Sequence, residues 1–303
     1  MSRYLELTKR NIRLYFRDRG AVFFSLLSMF IVIILMILFL SDMNVNTVTS
    51  LLETLPGHDT AGDEDNAKLL VLAWTSSGLI PVNAVMVTLS VLSSIIKDKT
   101  AGRINSIYTS PVSRLTITLS YISAACAASV IICILTAAFT EGYLVYKGME
   151  LYTLQEHLKI FGMIVVNSFA YSAIMYVCAA LVNSEGAWSG VGTIVGTLTG
   201  FLGGIYIPVG TLSDGLQKAI GCTPMIYGTV MFRQVMLGGI LSKTFADAPE
   251  EMISIYREKM SIDYAVFGRE AGISSCVLAV LGFGAVFMMA GALITSYSKK
   301  RDR

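Results

Sequence analysis

Polar and charged side chains with a defined spacing lie at residues 97–114, where KDKTAGRINSIYTSPVSR separates two long apolar runs. Ile104, Ile107 and Tyr108 are spaced i, i+3 and i+4, which places them on one face of a helix. Pro111 would end that helix, because residues before a proline avoid helical angles. The pattern predicts a short helix of about two turns that could receive force from another protein. A bare loop is the alternative.

The rest of the chain holds no arrangement of residues typical of a catalyst. It has no H-E-x-x-H, no G-x-S-x-G and no G-x-x-x-x-G-K-[ST] phosphate loop. Its two histidines and five cysteines show no metal-ligand spacing, while a disulfide between Cys222 and Cys276 stays open. We expect no catalytic residue, no metal site and no cofactor bound by this chain.

The composition is typical of a polytopic membrane protein. Of the 303 residues, 54% are hydrophobic and 15% are charged, whereas soluble domains have about 25% charged residues. The net charge of +2 is too weak to indicate a nucleic-acid partner. Six segments are long enough to cross about 30 Å of hydrocarbon: 21–40, 69–96, 115–139, 160–182, 189–209 and 272–297. We therefore expect an all-α membrane protein with six transmembrane helices in a single domain, residues 1–303.

Lysine and arginine are distributed unequally between the two sides that six spans would define. One side carries fourteen of them in 50 residues, and the other carries nine in 110 residues. Cytoplasmic loops are enriched in these residues, so we expect a protein of the cell membrane with both termini in the cytoplasm. Residues 97–114 would then form a short helix on the cytoplasmic surface, and residues 210–271 would lie outside.

Two further segments are expected to lie along the membrane or to enter it partly. Residues 1–20 read as a basic amphipathic helix in the membrane interface, the alternative being a basic flank without fixed structure. Residues 219–241 are almost apolar enough to be a seventh span. We expect instead a helix that dips into the outer leaflet and returns, or one that packs on the outer face.

A glycine repeat marks the fifth predicted span. Gly192, Gly196, Gly200 and Gly204 recur every four residues and would line one helix face. Small residues in register allow close contact between helices in membranes. The contact could lie within the subunit or across a dimer, and we slightly favour the dimer.

No Asp, Glu, Lys, Arg or His lies well inside a predicted span. Carriers driven by ions or protons usually keep such residues at membrane depth. The absence argues against a secondary transporter, although sodium sites built from carbonyls and hydroxyls would not show in this pattern. An ATP-independent secondary carrier or channel with six spans remains the alternative function.

The connector at 97–114 resembles that of the ABC-2-type permeases, the transmembrane subunits of ABC transporters. In that family an acidic residue, a glycine four positions on, and a Ser/Thr-Pro followed by a basic residue precede the third span. Asp98, Gly102, Ser110, Pro111 and Arg114 match this pattern. The residue after the glycine is usually threonine in the family and is Arg103 here.

The resemblance extends to the segment after the fifth span, which is similar to the family pattern of Pro, a short amphipathic helix, Pro-x-x-Tyr and Arg. The matching residues are Pro208, Gln217, Pro224, Tyr227 and Arg233. The family implies that Pro208, Pro224, Tyr227 and Arg233 are candidates for an outer gate.

The resemblance also implies partners and a mechanism. Two permease copies, or this chain and a related permease, would pair among membrane lipids. A separate ABC ATPase, carrying ATP and Mg, would dock on each connector and drive export. Asp98 and Gly102 to Arg114 would transmit the motion, with Ile104, Ile107 and Tyr108 as an apolar plug and with Arg103 and Arg114 as polar contacts. An apolar lining of spans one, two and five favours a hydrophobic or amphipathic substrate.

Overall fold

The computed structural model describes residues 2–35, 41–53, 60–109, 111–246, 248–266 and 269–301. The described part of the chain is almost entirely helical, and its one sheet is a pair of two-residue antiparallel strands. The elements in chain order are α1 Ser2–Arg17, α2 Arg19–Leu35, α3 Ser41–Leu52, α4 Thr60–Thr100, α5 Arg103–Thr109, α6 Arg114–Tyr146, α7 Leu154–Leu181, α8 Glu185–Leu202, α9 Asp214–Gly221, α10 Pro224–Met236, α11 Gly238–Thr244, α12 Glu250–Lys259, β1 Ala265–Val266, β2 Arg269–Glu270 and α13 Ile273–Arg301.

Four helices in the described chain are long and apolar enough to cross a membrane. They lie in α4, α6, α7 and α13 and correspond to the second, third, fourth and sixth predicted spans. The first predicted span corresponds to α2, which has 17 residues, and its last residues, 36–40, lie outside the described residues. The fifth corresponds to α8, which ends at Leu202 rather than at 209. The protein is thus a multi-pass helical membrane protein, and the count of six stays a prediction.

The core of the bundle is formed around α4, which packs against α6, α7 and α10. Its interior contacts include polar pairs, since Asn83 donates from Nδ2 to the Thr136 hydroxyl at 2.6 Å. By contrast, α13 presents large apolar side chains outward, among them Leu278 and Leu293. An apolar outer surface is expected where lipid replaces water as the solvent.

The segment 219–241 is neither a seventh span nor a surface helix. It forms α9 in part, then α10 and part of α11, and α10 has only 13 residues, about 20 Å of helix. Eleven of those residues are buried, and α10 packs against α4, α7 and α13. This burial does not fit a helix on the surface of the protein, and a helix that dips into the outer leaflet and returns stays a prediction. A short helix can be this apolar because protein surrounds it.

The bundle has two ends, which we name by their contents. The connector end contains α1, α5, the end of α4 and the start of α6. The cap end contains α9 to α12 and the turn at 258–261. Helix α4 connects the two ends. At the cap end, the Trp74 indole N–H donates to the Met260 carbonyl. Asp98, at the connector end, follows 24 residues later in the same helix, about 36 Å of helix.

Candidate functional site

Asp98, in the last turn of α4, joins four helices at the connector end. Its side chain is 2% exposed. Arg10 of α1 donates from Nη2 to both carboxylate oxygens, at 2.9 and 2.8 Å. The Tyr121 hydroxyl of α6 donates to Oδ2 at 2.9 Å, and Nε of Arg103, the first residue of α5, lies 3.3 Å from Oδ1. A buried carboxylate is stable only when it is paired and hydrogen-bonded, and this one has both kinds of partner.

The charge state of this cluster is set by the same contacts. Burial lowers the pKa of Arg10, but the hydrogen bonds and the charge of Asp98 raise it by more, so the pKa lies above its usual value. Arg10 thus stays positively charged over the physiological pH range. Removing Arg10 would leave the buried Asp98 carboxylate without its nearest cation, the costly way to break such a pair.

Gly102 and Pro111 determine where the helices of the connector end. Gly102 has φ +70°, a left-handed conformation that glycine adopts without steric cost. It ends α4, and its N–H donates to the Lys99 carbonyl at 3.1 Å. Pro111 follows α5, and its carbonyl accepts a hydrogen bond from Arg3 of α1 at 2.6 Å. These features make α5 a short helix between two long ones.

The structure orients α5 with one apolar residue inward. Ile104, a member of the predicted apolar plug, is 8% exposed and faces the bundle. It is instead Arg103, with a side chain 62% exposed, together with Asn105, Ser106 and Thr109, that forms the exposed face. The reason is that an apolar residue on a two-turn helix lowers the free energy more by packing on the bundle than by facing water.

Some of the connector residues can be placed only in part. The side chains of Ile107 and Tyr108, and the whole of Ser110, lie outside the described residues. Arg114 is the first residue of α6, and the Ser113 hydroxyl caps that helix by accepting from the Thr116 N–H. The predicted connector thus begins in one long helix and ends in the next.

At the cap end, Arg233 is fully buried in α10. Its guanidinium donates to the carbonyls of Gly203, Gly204, Met260 and Ser261 at 2.9–3.4 Å. It also lies 4.3 Å from the centre of the Trp74 ring, a cation–π geometry. Arg233 thus connects α10, α4, the end of α8 and the turn after α12.

Of the other outer-gate candidates, Pro208 lies in a turn, and Pro224 and Tyr227 lie in α10. Pro208 precedes a 3₁₀ turn and accepts the Thr211 N–H. Pro224 is the first residue of α10. Tyr227, 9% exposed, donates its hydroxyl to the Gly221 carbonyl at 2.7 Å. These residues shape the turns of the cap, and their part in gating stays a prediction.

A cleft of about 340 Å³ lies between α2, α4 and α8. Phe24 of α2, Met86 of α4 and Gly196 of α8 line it, together with Asn83. These helices correspond to spans one, two and five of the sequence analysis. The cleft is mainly apolar.

A family model described as an ABC-2 family transporter protein matches residues 58–293. The match covers most of the chain and includes α4 to α12 entire, with both the connector and the cap. The chain belongs to the ABC-2 transporter family. No curated protein matches the chain.

Membership in the ABC-2 family supports a transport subunit rather than an enzyme. It also implies, in general terms, an ABC ATPase as partner. The resemblance inferred from the connector and the cap is thereby confirmed. The matched range begins after α1 to α3, so Arg3 and Arg10, which hold the connector, lie outside it.

The glycine repeat of this ABC-2 family protein does not form one continuous helix face. A Cβ on Gly192 or Gly196 would lie 3.4 Å from Leu89 or Met86 of α4, so these two glycines pack within the subunit. Gly204 lies beyond the end of α8 with φ +64°, because the chain turns there. Its place on the helix face was predicted wrongly.

Three contributors to the connector were not identified from the sequence. Arg10 and Tyr121 were counted only as a basic residue and as part of a span, although both bind Asp98. Lys99 donates to the carbonyls of Ala179, Ala180 and Val182 at 2.7–2.9 Å. It thus caps the end of α7. The one available signal in the sequence was the position of Lys99 at the end of the second predicted span, on the same side of the membrane as the end of the fourth.

Cys222 is exposed and Cys276 is buried, and both are free thiols. The question of their pairing is thus answered for this conformation. Among the described residues, no group of three or more His, Cys, Asp or Glu could hold a metal ion.

Proposed function

We propose that this protein is the permease subunit of an ATP-driven ABC exporter in the cell membrane, with both termini in the cytoplasm. A separate ABC ATPase, which binds ATP and Mg, docks on the exposed face of α5. The single observation that carries the proposal is the Asp98 cluster. It ties the first residue of α5 to α1, α4 and α6, so a force on α5 reaches three helices at once.

The orientation in this proposal rests on charge. With six spans, the side that holds the connector and the C-terminus carries fourteen of the 23 lysine and arginine residues, and such residues are enriched on the cytoplasmic side. Residues 97–114 then act as the cytoplasmic coupling segment, and residues 210–271 as the extracytoplasmic region.

The substrate is a hydrophobic or amphipathic compound that enters the cleft between α2, α4 and α8. The apolar lining supports this class of substrate. The outward face of α8 exposes Ile194, Leu198 and Phe201, and a second permease copy, or a related permease, packs on it. That partner would cover the open side of the cleft.

Coexpression with an ABC ATPase tests the docking step. Ser106→Arg adds bulk and charge to the exposed face of α5 and should prevent copurification of the ATPase. Ser242→Arg makes the same change on an exposed residue of α11 at the cap end and should have no effect. Transport that proceeds without any ATPase would overturn the proposal in favour of an ATP-independent carrier.

A second variant separates docking from force transmission. Asp98→Asn keeps the shape of the side chain but removes the charge that holds Arg10 and Arg103. We expect the ATPase still to copurify, while substrate-stimulated ATP hydrolysis falls about tenfold, the effect of about 1.4 kcal/mol. Asp214→Asn, on an exposed residue of the cap, is the matched control. Full stimulation in Asp98→Asn would show that the cluster does not transmit force.

A further inference from the structure

A second cavity, of about 300 Å³, lies at the connector end between the α1–α2 turn and the last turns of α4. Its charged lining consists of Arg17, Asp18, Lys97, Asp98 and Arg103. It adjoins the cleft between α2, α4 and α8, with which it shares Ala21 and Ser90, but its charged residues do not line that cleft. The balance of hydrogen-bond donors and acceptors in it shows what kind of ligand it would accept.

The acceptors of this cavity are already occupied. Both oxygens of Asp98 accept from Arg10, Oδ2 also accepts from Tyr121, and Arg103 Nε lies 3.3 Å from Oδ1 as an ion pair. Asp18 accepts the Ala21 N–H at 3.1 Å and lies 3.4 Å from the Lys97 ammonium. The Ala21 hydrogen bond and Lys97 hold the pKa of Asp18 below its usual value. Each of the four carboxylate oxygens therefore already has a donor or a cation beside it, and the Asp18 carboxylate is ionised.

The donors are in surplus. A guanidinium has five N–H groups and an ammonium has three. Within the described chain, Arg103 uses only Nε, Lys97 has one partner, and Arg17 has none. The buried hydroxyl of Ser94, which also lines the cavity, has no hydrogen-bond partner. Three cations thus line the cavity, and a buried hydroxyl beside it lacks an acceptor.

We propose that this cavity binds the phosphate group of an anionic phospholipid. Phosphate supplies several acceptor oxygens with negative charge, the complement that arginine and lysine recognise. The lipid, rather than a soluble phosphate, is favoured by the surroundings. Leu14 lines the cavity with 40% of its surface exposed, and Phe23 and Phe24, just beyond the turn, are 58% and 66% exposed. Acyl chains would lie on these side chains while the headgroup occupies the cavity.

A ligand in this cavity would affect the position of α5. Arg103 contacts both the cavity and Asp98. A bound phosphate would therefore hold the start of α5 against the α1–α2 turn and stabilise the connector. The proposal concerns binding, which needs no ATPase, so it can fail or hold independently of the proposed function.

The test measures binding of dihexanoyl phosphatidylglycerol to the full-length protein in detergent by titration calorimetry. The double variant Arg17→Gln/Lys97→Gln should lower its affinity about tenfold or more, since it removes two charged donors. Ser94→Ala should lower it about fivefold without altering charge. Arg13→Gln, an exposed residue of α1 outside the cavity, is the matched control and should change nothing.

Two other probes identify the source of the phosphate. Dihexanoyl phosphatidylcholine, whose choline cancels the charge, should bind more weakly than the glycerol lipid. If inorganic phosphate binds as tightly as the phosphatidylglycerol, and its affinity falls equally in the double variant, the ligand is a soluble phosphate and not a lipid. Unchanged lipid affinity in the double variant and in Ser94→Ala would overturn the proposal. If the double variant instead loses the ATPase, these cations bind an acidic surface of that partner.

Discussion

Arg233 has no acidic partner in the described part of the chain. It is held by backbone carbonyls and by the face of Trp74. Hydrogen bonds from a charged donor are stronger than neutral ones, and four carbonyls share the charge here. The cap is therefore organised by one side chain, whose loss would leave several buried acceptors without a donor.

Arg233→Met should destabilise the cap by about 3 kcal/mol, because buried carbonyls lose their donor. The measurement is the thermal unfolding midpoint of the detergent-solubilised protein. Lys243→Met, on an exposed residue of the neighbouring α11, should leave the midpoint unchanged. Equal midpoints for Arg233→Met and the wild type would show that the carbonyls find other donors.

Gly204, whose carbonyl accepts from Arg233, has a backbone conformation that favours glycine. Its left-handed φ would strain any residue with a side chain, and an added Cβ would lie 2.8 Å from Cγ2 of Val209. Gly204→Ala should therefore cost about 1–2 kcal/mol of stability, seen as a lower unfolding midpoint. Gly190→Ala is the control, since that glycine is in α8 with open space around it. The alanine there should not destabilise the protein.

At the scale of elements, the connector end depends on contacts between helix termini. The last carbonyls of a helix have no partner within it, and a cation near them is also favoured by the helix dipole. Lys99 supplies both effects to α7. The end of α4 and the end of α7 are thereby fixed to each other at the place where α5 begins.

Lys99→Met should fray the last turn of α7. We expect faster hydrogen–deuterium exchange in the segment 177–183, because three carbonyls lose a shared donor. Lys97→Met, two residues earlier on an exposed side chain, should leave that segment unchanged. Protection that persists in Lys99→Met would show that the packing of α7 on α13 is sufficient to hold its end.

At the scale of the whole molecule, the two ends of the bundle should lie on opposite sides of the membrane. Cys222 is an exposed thiol in the cap, and Ser106 is exposed on α5. In intact cells, a membrane-impermeant maleimide should label Cys222. In the variant Cys222→Ser/Ser106→Cys it should label the new thiol only after permeabilisation. Labelling of both positions from outside would contradict the orientation.

The sequence allowed much of the fold to be predicted, since four long apolar helices and the short helix before Pro111 follow from local patterns. The structure of the segment 219–241 could not be predicted from local patterns. A buried helix of 13 residues and a membrane span have the same apolar composition, and only packing against α4, α7 and α13 separates them. The start of α5 and the end of α8 depended likewise on single glycines with positive φ.

The sequence by itself determined that this is a membrane protein of the ABC-2 type with a connector between two long helices. Periodicity, composition and motif order are properties of the sequence, so they can be identified without a structure. The tertiary structure alone decided which side chains make the connector rigid. Arg10 and Asp98 are 88 residues apart in the chain, and Arg233 reaches carbonyls on two other segments. Such pairings depend on how the helices pack, because a charged side chain can be buried only where its partners converge.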